Sequence, residues 1–287
     1  MSEADDRLVR NISDTALWVA YHRAMETDRP DAHFRDPFAR ALAGERGERI
    51  AKAPGFGLRN AWAFTARTVL FDRLVDAAVR GGADLVVNLA AGLDTRPYRM
   101  DLPPALQWVE VDLPGILDYK ERILAGAAPR CALERARVDL SDEPARRALF
   151  ARLSARRRNA LVLTEGLLIY LTADQVARLA ADLAAQPSFH RWAVDIASPG
   201  LLKMMARQTG KAIVDAGAPF QFAPREGPDF FKPLGWTAVR VDSLLDIART
   251  QRRLSFFMRL LAALPPPKEP KPDRPWSAVV ELTRAVG

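Results

Sequence analysis

The chain changes its hydrophobic pattern at Gly81 and Gly82. Before these glycines, apolar residues recur at three- and four-residue intervals, which predicts helices over 14–27, 36–50 and 61–80. After them, short apolar runs alternate with amphipathic stretches, which is typical of strands and helices in succession. Residues 1–80 are therefore predicted to form a helical extension that precedes an α/β region.

Seven short apolar runs in the second region are predicted as strands: 85–90, 107–111, 136–138, 160–164, 192–196, 237–241 and 276–284. Further helices are predicted over 115–125, 142–156, 173–185 and 243–264. Strands that alternate with helices predict a parallel sheet covered on both faces. We predict one α/β domain over 1–287, with a ligand-binding core at 83–200 and a lid segment, late strands and an insertion at 201–287.

The net charge of +7 raises the question of a nucleic-acid partner. The basic residues are scattered, and the one dense cluster, Arg152 with 156–158, lacks the interleaved aromatic residues that stack on bases. We therefore interpret the charge as a solvated surface and expect no nucleic-acid partner.

Other composition features exclude several classes of protein. One cysteine and three histidines exclude a disulfide framework and a cysteine-rich zinc site, and no metal site is expected. No apolar run approaches the roughly 18 residues of a membrane span. The polar, acidic start of the chain does not resemble a signal peptide. We expect a cytoplasmic protein without a membrane partner.

The first predicted strand runs into a turn of small residues that suits a ligand site. Ala90 and Gly92 lie in this turn, and glycine permits positive φ and the close approach of a ligand. Asp112 ends the next strand, 20 residues beyond Gly92. That spacing is typical of an acid that binds ribose hydroxyls. The pattern favours a nucleotide-like ligand, and a tight turn without a ligand is the alternative.

The dinucleotide fingerprint GxGxxG does not occur in this turn, which reads Ala90-Ala91-Gly92-Leu93-Asp94-Thr95. Asp94 places a negative charge where a diphosphate would lie, whereas a carboxylate tolerates a cationic ligand. S-adenosylmethionine carries a sulfonium, an ammonium and one carboxylate. The turn therefore favours S-adenosylmethionine over NAD, and an NAD(P)-dependent oxidoreductase becomes a rival hypothesis.

Two charged residues outside the turn fit the same ligand. Arg67 lies inside the apolar stripe of the 61–80 helix, and a buried guanidinium needs an anion. The ligand's carboxylate is one candidate, and an internal salt bridge with Asp72 or Asp94 is the other. Glu165 follows the fourth strand and could receive the ammonium, or it could stabilise a helix N-terminus.

Several motifs resemble a known family: VVNLAAGLDTRPYR at 86–99, WVEVDLP at 108–114, LTEGLLIYL at 163–171 and FFKPLGW at 230–236. Together with the segments over 15–44 and 66–75, they resemble the leucine carboxyl methyltransferase family over about residues 14–240. They most resemble its branch of S-adenosylmethionine-dependent small-molecule and polyketide O-methyltransferases.

This resemblance implies a Rossmann-like class I methyltransferase fold. Such a fold has a seven-stranded, mostly parallel sheet whose last strand, here 276–284, is antiparallel, and a helical N-terminal lid. The implied cofactor is S-adenosylmethionine, with its methionine carboxylate on Arg67, its amino group near Glu165 and its ribose on Asp112.

The resemblance also implies that the backbone around Ala90 and Gly92 approaches the cofactor. It places Asp139 and Leu140 beside adenine, although Asp139 could instead cap a turn. One departure concerns Ala90, where the family often has glycine.

Methyl transfer is an in-line displacement in which the enzyme mainly positions the reactants, and positioning can supply roughly 7–11 kcal/mol. A carboxylate acceptor is its own nucleophile and needs no base, whereas a hydroxyl acceptor needs one. The catalytic residue stays open. Tyr170 (a pocket wall or a core residue) and His33 are candidates, and His22 and Asp195 are further ones.

The acceptor pocket is predicted between the N-terminal helices and 201–236, a segment rich in methionine and aromatic residues that suits a planar or apolar acceptor. Packing of this segment on the core is the alternative. Its large residues are Met204, Met205, Phe220, Phe222, Phe230, Phe231 and Trp236.

We therefore expect an S-adenosylmethionine-dependent O-methyltransferase that acts on a carboxylate or hydroxyl of a small, polyketide-like or other secondary-metabolite acceptor. The alternatives are a non-catalytic binding protein with the cofactor fold, a protein C-terminal carboxyl methyltransferase, and an RNA or DNA methyltransferase. The last would carry an Asn/Asp-Pro-Pro-Tyr loop where this chain has Thr164-Glu165-Gly166-Leu167. The sequence does not predict the oligomeric state.

Overall fold

The computed structural model describes residues 13–53, 61–155, 157–215, 219–262 and 272–284. A seven-stranded sheet lies at its centre. The strands are β1 (Leu85–Leu89), β2 (Gln107–Asp112), β3 (Ala132–Arg137), β4 (Ala160–Thr164), β5 (Phe189–Ala197), β6 (Thr237–Ser243) and β7 (Ser277–Thr283).

The strand order across the sheet is β3-β2-β1-β4-β5-β7-β6. Strands β1 to β5 pair in parallel, in registers such as Val87 with Val109 and with Val162. Strand β7 is antiparallel to both of its neighbours, β5 and β6. The predicted seven-stranded, mostly parallel sheet with an antiparallel last strand is therefore confirmed.

Ten α-helices are assigned within the described residues. They are α1 (Ser13–Thr27), α2 (Ala39–Lys52), α3 (Ala61–Arg80), α4 (Arg96–Arg99), α5 (Pro114–Ile123), α6 (Glu143–Ser154), α7 (Ala173–Ala184), α8 (Pro199–Asp215), α9 (Leu244–Thr250) and α10 (Phe256–Ala262). Two 3₁₀ segments cover Leu168–Tyr170 and Gly227–Leu234. None of the described helices is long and apolar enough to cross a membrane.

Helices cover both faces of the sheet, which explains the largely apolar sequence of β1. Val87 and Leu89 pack on one side, in a core that includes residues of α6 and α7. Val86 packs on the other side, in a core that includes residues of α3 and α9. Every residue of β1 is buried as a result.

A third apolar cluster joins the N-terminal helices to the sheet. Leu17 and Tyr21 of α1 meet Leu42 and Ile50 of α2, together with Leu93 beyond β1. The two helices approach closely, since a Cβ built on Gly47 would lie 2.6 Å from the Leu17 carbonyl oxygen. This packing holds α1 beside the carboxyl ends of the strands.

Three predicted elements differ from the structure. Strand β3 begins at Ala132 rather than at residue 136, because Glu134 and Arg135 interrupt the apolar pattern of this partly exposed strand at the sheet edge. The predicted helix over 243–264 is wrong, since it divides into α9 and α10 beside Arg252, whose φ is +56°. Helix α2 begins at Ala39 rather than at residue 36.

The proline-rich segment at 265–275, whose composition predicts a stiff loop, lies mostly outside the described residues, which resume at 272.

Candidate functional site

A cavity of about 320 Å³ opens at the carboxyl ends of β1, β2, β4 and β5. Helices α1 and α3 cover it on one side, and the first part of α8 borders it on another. This edge of a parallel sheet is where α/β folds bind nucleotide-like ligands. Six of the eight residues predicted to contact the cofactor line the cavity, and they are Arg67, Ala90, Gly92, Asp94, Asp112 and Glu165.

The turn after β1 has the left-handed backbone that its small residues suggested. Ala90 has φ +52° and Gly92 has φ +49°. The Gly92 N–H donates to Asp112 Oδ2 at 2.7 Å, and the Leu113 N–H donates to Asp112 Oδ1 at 2.7 Å. A Cβ on Gly92 would lie 3.3 Å from the Ala16 Cβ of α1. The turn is therefore pressed between β2 and the first helix.

Asp112 presents its carboxylate to the cavity from the end of β2. Burial raises the pKa of Asp112, and the N–H groups of Gly92 and Leu113 oppose that rise. The carboxylate keeps lone pairs beyond those two hydrogen bonds, as acceptance of ribose hydroxyls requires.

Asp94 does not present the isolated negative charge that the sequence suggested. Its carboxylate accepts from Asn88 Nδ2 at 2.8 Å, from the Arg96 N–H at 2.9 Å and from Arg96 Nη1 at 2.9 Å. Burial alone would raise the pKa of Asp94, but the Arg96 charge holds it well below its usual range. The charge is compensated, so Asp94 mainly fixes the shape of the turn.

Arg96 is a site residue that the sequence interpretation missed. Its side chain is 3% exposed and contacts Asp72 at 2.7 Å, Asp94 at 2.9 Å and Glu165 at 2.9 Å. Arg99 binds the same Asp72 at 2.7 Å. The only available signal was the position of both arginines in the 86–99 motif.

Arg67 faces inward from α3, as its place in the apolar stripe predicted. Its Nε donates to Glu165 Oε1 at 3.1 Å, and its Nη1 donates to Asp195 Oδ2 at 3.1 Å. The predicted alternative of an internal salt bridge is thus present, but with partners other than Asp72 and Asp94. Arg67 lines the cavity, so a ligand carboxylate can reach it.

Gly166 positions Asp195, one of the two acidic partners of Arg67. Its N–H donates to Asp195 Oδ1 at 2.7 Å, and its φ is +69°. A Cβ at this position would lie 3.2 Å from Arg67 Nη1. A glycine is therefore favoured both by the left-handed backbone conformation and by the close approach of the guanidinium.

Buried polar contacts tie the N-terminal helix to the turn. Arg23 of α1 donates through Nη2 to the Leu93 carbonyl oxygen at 2.6 Å and through Nε to Asp36 Oδ2 at 2.8 Å. Thr95 Oγ1 donates to the same Asp36 oxygen at 2.7 Å. Movement of α1 would thus disturb the turn as well.

The remaining predicted site residues divide into two groups. Tyr170 lines the cavity beside Phe220, with ring centroids 5.6 Å apart, and burial raises the pKa of its hydroxyl. His33 lies outside the cavity lining, and its Nε2 contacts the Gln251 carbonyl oxygen at 2.9 Å. The prediction of His33 as a catalytic residue therefore finds no support in its position.

Asp139 and Leu140 also lie outside the cavity lining. Asp139 Oδ1 accepts from the Ser141 N–H at 2.8 Å, which is the turn-capping alternative, and Leu140 packs on the core. Their proximity to adenine stays a prediction.

The segment after β5 contributes only part of what was predicted for the acceptor pocket. Met204, Met205, Phe220 and Phe222 line the cavity. The other three aromatic residues pack in the core instead. They are Phe230, Phe231 and Trp236, two of which contact the Trp192 ring at 5.3 and 5.4 Å between centroids.

The strand order, with β7 antiparallel, and the ligand cavity at the carboxyl ends of the strands define the class I methyltransferase fold. Two solved structures share the fold. A DUF574 family protein from Streptomyces avermitilis MA-4680 has a TM-score of 0.59 at 13% identity, covering 94% of this chain and 97% of its own. A "putative methyltransferase" from Thermobifida fusca YX has a TM-score of 0.55 at 18% identity, covering 97% and 96%.

The chain belongs to the leucine carboxyl methyltransferase family, which matches residues 16–184, and it is a methyltransferase. A relative from Mycobacterium bovis (strain BCG / Pasteur 1173P2), named "Putative S-adenosyl-L-methionine-dependent methyltransferase", is 33% identical over 257 residues, or 81% of this chain and 85% of the relative. A relative of the same designation from Streptomyces coelicolor A3(2) is 33% identical over 239 residues, or 78% and 80%.

Replacement of Ala90 by glycine is expected to stabilise the protein. A left-handed L-residue costs roughly 1–2 kcal/mol, and the extra freedom of unfolded glycine takes back roughly 0.5–1 kcal/mol. Urea unfolding should therefore show a gain of about 0.5–1 kcal/mol for Ala90→Gly. Ala91→Gly, at the next position without a positive φ, should lose stability. A loss in both variants would contradict the strain at Ala90.

His22 of α1 is expected to make the protein sensitive to acid. It is 2% exposed, stacks on Phe64 at 4.5 Å between centroids, and has no hydrogen-bond partner on either ring nitrogen. Burial, assisted by the Arg67 charge, lowers the pKa of His22 to about 4. The unfolded chain therefore binds a proton below about pH 6.5 that the folded chain excludes down to about pH 4.

Urea unfolding should show a stability loss of about 2 kcal/mol from this residue between about pH 7.5 and about pH 5. His22→Phe keeps an aromatic ring against Phe64 but cannot titrate. Its free energy of unfolding should therefore fall by about 2 kcal/mol less over the same pH interval. An unchanged pH dependence in His22→Phe would show that His22 does not carry the effect.

Proposed function

We propose that this protein is an S-adenosylmethionine-dependent O-methyltransferase that acts on a small, apolar acceptor. The observation that carries the proposal is the array of charges at the carboxyl ends of β1, β2 and β4. Arg67 lies there between Glu165, after β4, and Asp195 of β5, and Asp112 lies at the end of β2.

The residues of the cavity fit the cofactor group by group. Arg67 offers a cation for the methionine carboxylate, and Glu165 offers a carboxylate for the ammonium. Asp112 offers acceptors for the ribose hydroxyls, and Leu93 and Ile116 offer apolar contact for adenine. The cofactor is S-adenosylmethionine.

When bound, the cofactor supplies an activated methyl group on a sulfonium. The protein's own contribution is to hold the cofactor in place and to cover the site. Arg67 and Asp112 fix the ligand at two separated points, and α1 covers the turn through the Arg23 contacts with Asp36 and Leu93. Positioning of this kind can supply roughly 7–11 kcal/mol of a displacement barrier.

The apolar part of the cavity supports a small-molecule acceptor. Trp62, Phe222, Met204 and Met205 line it. Apolar and aromatic walls with few polar groups are typical of sites that enclose planar or apolar ligands. A protein carboxyl terminus as acceptor is the second candidate, and only the family relationship favours it.

Calorimetric titration with S-adenosylhomocysteine tests the cofactor site. Wild-type protein should bind it, and Arg67→Gln and Asp112→Asn should each bind at least about tenfold more weakly, since a hydrogen bond to a charged group contributes about 1.5–3 kcal/mol. Arg73→Gln, an exposed position on the same helix, is the matched control and should bind like wild type. Wild-type affinity in Arg67→Gln would contradict the site.

The acceptor class is tested with ¹³C-methyl-labelled S-adenosylmethionine, offered with a microbial small-molecule extract or with its protein fraction. We expect the label in the small-molecule fraction, with the NMR shift of an O-methyl group. Label in protein alone, or with an N-methyl shift, would contradict the proposal.

A further inference from the structure

The sheet order divides the cavity into two halves. The inference drawn from this division rests on the proposed function and defines its acceptor more narrowly. Strands β1 and β2 contribute Gly92 and Asp112 at one end, and β5 and β7 contribute Ile196 and Ser277 at the other. In the order β2-β1-β4-β5, strands β2 and β5 are three positions apart, or about 14 Å at about 4.8 Å per strand. The nucleoside half therefore lies over β1 and β2, and the acceptor half over β5 and β7.

Asp195 is the acidic residue at the border of the acceptor half. Among the described cavity residues that β5, α8, α9 and β7 contribute, its side chain is the only ionisable one. Its Oδ1 accepts from the Gly166 N–H at 2.7 Å, and its Oδ2 accepts from Arg67 at 3.1 Å. The side chain is 18% exposed, and each oxygen has a further lone pair for a ligand donor.

The charges of the cavity discriminate between acceptors. The described lining holds three arginines and four carboxylates, a net charge of −1 when all are ionised: Arg23, Arg67, Arg96, Asp94, Asp112, Glu165 and Asp195. Each arginine already has an acidic partner. The cofactor, with a net charge of +1, brings the cavity to neutrality.

A carboxylate acceptor would add a negative charge beside Asp195 without a free cation to receive it, which is costly in a buried site. An uncharged hydroxyl adds no charge, and it can donate its proton to the Asp195 carboxylate.

We propose that Asp195 is a catalytic and specificity-determining residue, which selects an acidic hydroxyl (a phenol or an enol on an apolar, planar molecule) over a carboxylate and receives its proton. As the new O–CH₃ bond forms from an oxygen lone pair, the hydroxyl proton passes to Asp195. The electron pair of the broken S–CH₃ bond remains on sulfur. Charge is balanced, since the sulfonium becomes a neutral thioether and Asp195 a neutral acid.

Two features of the site support this role. Burial raises the pKa of Asp195, although the Arg67 charge opposes the rise, so its carboxylate is a stronger base than an exposed aspartate. The ring walls Trp62, Phe220 and Phe222 line the same cavity and suit a planar acceptor.

The test compares 2-naphthol with 2-naphthoate, two flat compounds that differ in the group of interest. Each is titrated by calorimetry into protein saturated with S-adenosylhomocysteine. Wild type should bind 2-naphthol at least about tenfold more tightly than 2-naphthoate. Asp195→Asn should weaken 2-naphthol and tighten 2-naphthoate, so that the preference disappears.

Methyl transfer to 2-naphthol should fall in Asp195→Asn and recover in part in Asp195→Glu. Glu281→Gln, which removes the carboxylate that pairs with Arg191 on the neighbouring strand outside the cavity, is the matched control and should keep the wild-type preference. Thermal unfolding and S-adenosylhomocysteine binding establish that each variant is folded.

Equal or tighter binding of 2-naphthoate to wild type would overturn the proposal. So would binding of neither compound, or an unchanged preference in Asp195→Asn. These results leave the proposed function intact as long as S-adenosylhomocysteine binds, whereas failure of wild type to bind S-adenosylhomocysteine would overturn the proposed function itself.

Discussion

Burial of the Arg67 guanidinium is the constraint that the rest of the site satisfies. A buried cation needs anions, and two strands supply them, with Glu165 after β4 and Asp195 on β5. A glycine is favoured at position 166, because a side chain there would press against the guanidinium. Glu165 also binds Arg96, which connects this pair to the turn after β1. The two acids and two arginines form one network, so a ligand carboxylate on Arg67 would alter the surroundings of both acids.

A second set of buried polar contacts joins the helical extension to the turn after β1. Arg23 and Asp36 join α1 and the loop after it to the glycine turn. At its other end, Glu26 of α1 accepts from Arg253 at 2.8 and 2.9 Å, which anchors the helix to the segment between α9 and α10. The cover of the cavity is thus held by buried charge pairs at both ends, and its opening would require that these pairs separate.

The strands, their direction and the position of the site could be predicted from the sequence, because β1 and β4 are mostly apolar runs that lead into polar or small residues. The inward orientation of Arg67 followed from helical periodicity. Its partners did not, since Asp195 is 128 positions away and reaches Arg67 only through the strand order. The pairing of the Asp94 charge with Arg96 could not be predicted either, because hydrophobic periodicity does not define the direction of the Arg96 side chain. Strand β3 was placed too late because edge strands carry polar residues. The sequence also does not show whether an aromatic residue such as Phe231 or Trp236 lines a pocket or packs in the core, since this depends on its neighbours in the fold.

A crystal structure of the complex with S-adenosylhomocysteine would show whether a ligand carboxylate replaces Glu165 and Asp195 on the Arg67 guanidinium. We expect the ligand carboxylate on the Arg67 guanidinium, the ligand amino group on Glu165, and the ribose hydroxyls on Asp112. An Arg67 side chain that still binds Glu165 and Asp195, with the ligand carboxylate on another residue, would contradict this expectation.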